Sequence, residues 1–232
     1  HVACNTCHTP VFAKKKPTKV WWDWSTAGDK ERKPVEMDYG KTDYHWKKGD
    51  QKWDMAARPK YAWYNGYMNR YLVGDRFDPS VEVLNLNEPL GCFLDSNSKI
   101  SPFQIMKGVQ PADAQNHVLL VPHLFPWSKD DTSAFWKGRN WDQAFEAGMK
   151  EAGLDYSGEY EWVRTDLYRG LQHEVMPEKY ALSCVNCHES LAGDTTCNRC
   201  HKDKKGVDFQ KLAQKGMNFE ELAQKGCDVQ DL

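Results

Sequence analysis

Six of the eight cysteines fall into three Cys-x-x-Cys pairs, each followed directly by histidine. They are Cys4-Asn5-Thr6-Cys7-His8, Cys184-Val185-Asn186-Cys187-His188 and Cys197-Asn198-Arg199-Cys200-His201. Two thiols at this spacing reach the two vinyl groups of one porphyrin, and the adjacent imidazole then lies under the iron. The pattern predicts three covalently attached haem c groups on Cys4, Cys7, Cys184, Cys187, Cys197 and Cys200, with His8, His188 and His201 as proximal iron ligands. A zinc knuckle would also use paired Cys-x-x-Cys, but it has no need of a histidine after every second cysteine. A thioredoxin-like motif would occur once, beside a βαβ unit. Cys92 and Cys227 remain outside the motifs, as a disulfide or as two unrelated thiols.

Electron-transfer haems take a second strong ligand, His or Met. Five histidines are left for that role: His1, His45, His117, His123 and His173. His173 ranks first because it precedes Cys184 by eleven residues. His1, His123 and His45 follow as candidate distal ligands, then His117. Met106 and Met176 are weaker choices, since most methionines fill cores. If most of these histidines bind iron, there are more distal ligands than attached haems. The surplus would then serve haems on another chain or on a missing part of this one.

The surrounding composition agrees with a core filled by cofactor. Hydrophobic residues make up 40% of 232 and mean hydropathy is -0.78, low for an ordered chain of this length. Ten Trp, ten Tyr and nine Phe offer flat surface for porphyrin faces. A net charge of -2 gives no basic excess, so no nucleic-acid partner is expected. No apolar run is long enough for a membrane span. The expected partners are other redox proteins or further haem-bearing chains, including oligomers in which one chain's histidine ligates a neighbour's haem. Covalent haem maturation outside the cytoplasm implies a periplasmic or extracellular location. The chain opens on His1 without a leader, as expected for a processed subunit or a piece of a longer protein.

These ligands need elements to hold them. The clearest is a helix over 140–152: Asn140 caps it, an apolar stripe runs through Trp141, Ala144, Phe145, Gly148, Met149 and Ala152, and Gly153 suits its end. Residues 21–75 are rich in Trp, Tyr and Gly with no clean period, and read as irregular segments packed on haem. The runs Val81–Leu84 and Val118–Val121, punctuated by Pro102, Pro111, Pro122 and Pro126, predict short extended pieces and no large sheet. Lys14-Lys15-Lys16 reads as a solvated turn. The expected fold is mainly α with extensive irregular loops and little β, a multihaem cytochrome c fold organised around its haems over 1–206. A short helical tail over 207–232 carries a ten-residue repeat.

Several stretches resemble the C-terminal part of the octahaem tetrathionate reductase family, relatives of multihaem hydroxylamine oxidoreductases and nitrite reductases. They are His1–His8, Trp22–Gly28, Ser98–Phe103, Asp130–Trp136, Glu146–Met149 and the run from Gly158 to His188. The resemblance implies bis-histidine electron-transfer haems, with His173 carried over as a distal ligand. It further implies reduction of tetrathionate, nitrite or hydroxylamine at a separate haem that has a lysine ligand. This chain has no Cys-x-x-Cys-Lys and three attachment motifs, not eight. No catalytic residue is therefore assigned to it. Three functions follow as expectations: an electron-transfer module, a subunit of a polymeric cytochrome assembly, or a reductase with one open haem.

Overall fold

The computed structural model describes residues 2–183 together with 186 and 187. His1, Cys184, His188, the third motif with Cys197, Cys200 and His201, Cys227 and the repeat tail lie outside the described residues.

Eleven strands and three α-helices occur among the described residues. Helix α1 is Cys4–His8, followed by β1 (Thr18–Asp23), β2 (Glu36–Met37), β3 (Lys41–Thr42), β4 (Tyr44–His45) and β5 (Gly49–Asp54). Next come β6 (Lys60–Tyr64), β7 (Met68–Arg70), β8 (Leu84–Asn85), β9 (Asn87–Pro89) and β10 (Lys99–Asp113). Helices α2 (Phe135–Gly138) and α3 (Trp141–Glu151) precede β11 (Tyr160–Gly170). A curled mixed sheet in the order β4-β5-β1-β10-β11-β8 dominates, with β6 pairing β10 off that path.

The expectation of a mainly α fold is therefore overturned: helix accounts for 15% and strand for 34%, so the main-chain hydrogen bonds run mostly in ladders. The miss has two physical causes. β10 contains Pro102 and Pro111, which normally punctuate strands because they donate no ladder bond. Here both sit inside the strand while their carbonyls accept, from Leu171 N–H and Leu120 N–H at 3.0 and 2.9 Å. β10 also lacks alternation, because Pro102 through Gln104 and Pro111 through Asp113 are buried in unbroken runs. A strand covered on both faces hides its period. Its antiparallel partner β11 runs in continuous register from Phe103↔Gly170 to Asp113↔Tyr160. Trp21 and Trp22, read as part of an irregular segment, lie within β1, which pairs parallel to β10 and antiparallel to β5.

The helix over 140–152 is present as α3. The Asn140 side chain accepts from Gln143 N–H, and Gly153 follows at φ 68°. Its buried face (Ala144, Phe145, Gly148 and Met149) meets Val118, Leu120, Tyr160 and Trp162. Trp141 stacks between Phe135 at 3.5 Å and Phe145 at 5.1 Å between ring centroids. A Cβ on Gly148 would fall 1.9 Å from the Val121 carbonyl oxygen, so only glycine permits this approach. Beneath the helix, the fully buried Asp113 carboxylate accepts from Gln115, Asn116 and Ser157, tying β10 to the entry of β11.

Candidate haem-binding site

The first motif is a single helical turn fixed to the sheet by its two intervening residues. Thr6 is buried and donates through Oγ1 to the Ile100 carbonyl at 2.6 Å. Asn5 Nδ2 donates to the Leu171 carbonyl at 2.7 Å. The helix thus rests on the start of β10 and the exit of β11. Cys4 and Cys7, one turn apart, share a face of it; Cys4 is exposed and Cys7 half-buried. Nothing in the Cys-x-x-Cys pattern marks Asn5 and Thr6, and sequence reasoning passed over them.

The chain returns to this turn after β11. Met176 N–H donates to the His8 carbonyl at 2.7 Å, and Leu182 N–H to the Cys7 carbonyl at 2.9 Å. His8 Nδ1 lies 2.9 Å from the Met176 carbonyl oxygen. A carbonyl can only accept, so Nδ1 carries the proton and Nε2 keeps its lone pair. This is the arrangement a metal-ligating histidine requires. Leu182 and Ser183, which lead into the second motif, thus lie beside the first. Ser183 donates through its N–H and hydroxyl to Asn186 Oδ1 at 2.7 and 2.8 Å. Burial first, then the nearby Cys187 and Cys7 thiols, push the Tyr61 hydroxyl pKa up. Tyr61 on β6 therefore stands near Cys7 of the first motif and Cys187 of the second. Val175 and Tyr180 on the returning segment are 58% and 54% exposed, apolar surface suited to a porphyrin face. The described residues of the first motif fit a covalent haem.

The same tautomer argument sorts the other histidines. The His173 side chain is 73% exposed, and its Nδ1 lies 4.0 Å from Glu174 Oε1, which leaves Nε2 open. Glu174 is itself held by Lys14, whose N–H donates to its carboxylate at 3.1 Å and whose Nζ donates to its carbonyl at 2.6 Å. Lys14 is thus a fixed contact, where a solvated turn was expected. His45 Nδ1 accepts from Lys47 N–H at 3.1 Å, so its proton sits on Nε2. His123 is buried, stacks on Trp127 at 3.8 Å and has Nε2 2.7 Å from Asp131 Oδ2. Bonds from Ser133 and His123 hold the Asp131 carboxyl far below the ordinary carboxylate range. His117 packs on Phe77 and has a buried Nδ1 without a described partner. No cluster of three or more His, Cys, Asp or Glu could hold a bare metal ion among the described residues. No helix there is long and apolar enough to cross a membrane.

A Cys-x-x-Cys-His turn clamped to a mixed sheet, with a ligand-ready imidazole, defines a c-type cytochrome. Residues 19–191 match the family model described as bacterial cytochrome c, and the chain belongs to that family. It is similar to the octahaem cytochrome c from Shewanella oneidensis, at 38% identity and a TM-score of 0.74. That match covers 88% of this chain and 48% of the other, so the chain spans about half the length of its relative. Comparison with curated proteins gives no match. The chain is thus a multihaem cytochrome c that binds haem covalently and serves haem-based electron transfer.

Proposed function

We propose that this chain carries three haems, on Cys4/Cys7, Cys184/Cys187 and Cys197/Cys200, and forms the electron-transfer part of an octahaem reductase-like protein or assembly. His8, His188 and His201 are the proximal ligands in this reading, and His173 is the first distal ligand. The observation that carries it is the His8–Met176 bond, which keeps the proton on Nδ1 and leaves Nε2 free to ligate an iron. Attached haem supplies the reversible one-electron couple. The protein residues would anchor the thioethers, fix the His8 tautomer and hold Cys7 and Cys187 near Tyr61. His1 and the surplus histidines would ligate haems in the remainder of the assembly, in a periplasmic or extracellular setting. His45 and His123 are better explained as a surface donor and as a buried His–Asp pair.

Intact mass and a haem-stained gel of the protein matured in a periplasm test the count. Three increments of roughly 0.6 kDa are expected, one per haem. Two or fewer would defeat the assignment of all three motifs.

A further inference from the structure

Residues 14–60 hold thirteen Lys and Arg against eight Asp and Glu, in a chain that is slightly acidic overall. Part of this excess is concentrated where β1, β5 and the β4–β5 turn meet. Lys19 faces Trp53 across the β1–β5 ladder, and its Nζ lies 3.8 Å from the Trp22 ring centroid and 5.1 Å from that of Trp53. Lys41 Nζ is 5.0 Å from the same Trp53 ring. Burial first, then the charge of Lys48, lowers the Lys19 pKa to about 8. None of Lys19, Lys41 and Lys48 forms an ion pair with a described residue. Trp53 Nε1–H is buried without an acceptor.

A half-buried ammonium beside a second cation costs free energy unless an anion joins it. An indole N–H with no acceptor adds to that cost. The Lys19 and Lys41 ammonium groups and the Trp53 indole N–H are all donors, so the partner that fits them is an acceptor with negative charge.

We propose that Lys19, Lys41 and Trp53 form an anion site for one carboxylate- or sulfate-sized oxyanion. Such a group comes from one of two sources: a free oxyanion in solution, or the propionate of a haem held elsewhere in the assembly.

The haem-loaded protein is titrated with inorganic sulfate by calorimetry, and its haem midpoint potentials are recorded in parallel. Wild type is compared with Lys19→Met, Lys19→Arg, Trp53→Phe and the distant control Lys129→Met. A free-anion site gives saturable sulfate binding that Lys19→Met weakens roughly tenfold or more. Trp53→Phe weakens it less, Lys19→Arg retains it and Lys129→Met has no effect. A propionate in the site gives no sulfate binding, but Lys19→Met moves one haem to a more negative potential, because a lost cation no longer favours the added electron. Lys19→Arg restores that potential. The second arm rests on haem attachment, which mass and haem stain establish separately. Wild type without sulfate binding, combined with potentials unmoved by Lys19→Met and Trp53→Phe, overturns the proposal.

Discussion

His8 Nδ1 and the Met176 carbonyl oxygen lie 2.9 Å apart, across 168 residues of chain. The bond decides which nitrogen of the ring is free, and it forms only after the sheet has brought the two ends together. His8→Ala should keep both thioethers, and hence the haem mass, while one haem changes from low to high spin in the ferric EPR spectrum. A spectrum identical to wild type would remove His8 from the axial position.

Tautomer state separates the distal candidates. His173→Ala should create a high-spin haem, because its open Nε2 is lost. His45→Ala should leave every haem spectrum unchanged, because its Nδ1 is occupied and its Nε2 is protonated. The reverse pattern would show that the ring bonds rearrange when haem attaches.

The two residues inside the first motif should matter although neither touches iron. Asn5→Ala with Thr6→Val removes two side-chain bonds to the sheet, for a loss of roughly 2 kcal/mol. Thermal unfolding should register that loss. Mass spectrometry should show lower haem occupancy at Cys4 and Cys7, with the C-terminal motifs unaffected.

Gly148→Ala should destabilise the protein by about 3 kcal/mol, since the new methyl meets the Val121 carbonyl and α3 must lift from its seat. Denaturant titration measures this. A change under about 0.5 kcal/mol would mean that the helix has room to move.

Acid sensitivity follows from Asp113. Burial pushes its carboxyl pKa upward, but bonds from Asn116, Ser157 and Gln115 outweigh it and bring the value down to about 2. A depressed carboxylate contributes stability that is fully present above the unfolded value, near 3.8, and is lost as pH falls through about 2. The contribution is roughly 2 kcal/mol. Asp113→Asn should flatten the stability curve across that window, as followed by denaturant midpoints at successive pH values.

The readable parts of this protein are those whose signal is local. Cys4, Cys7 and His8 announce their chemistry in five residues. Asn140, the stripe through Met149, and Gly153 specify α3 without outside help. β10 is illegible for the opposite reason. Its prolines argue against a strand, and its burial on both faces erases the alternation that would argue for one. The roles of Asn5 and Thr6 depend on carbonyls at Ile100 and Leu171, distant in sequence. The histidines look alike as letters. What distinguishes His8 from His45 is whether the neighbour of Nδ1 is a carbonyl or an N–H, and only the folded backbone supplies that.

Because Met176 and Leu182 return to His8 and Cys7, residues 9–175 are an excursion that starts and ends at the same place. In the proposed arrangement, an electron passing from the first attachment turn toward the second need not cross the excursion. The spacing between Leu182, which leads into the second motif, and the first turn is governed by a few bonds at its neck. Length changes in distant loops of the sheet should leave that spacing intact, while a change at the neck would alter it even with every strand preserved.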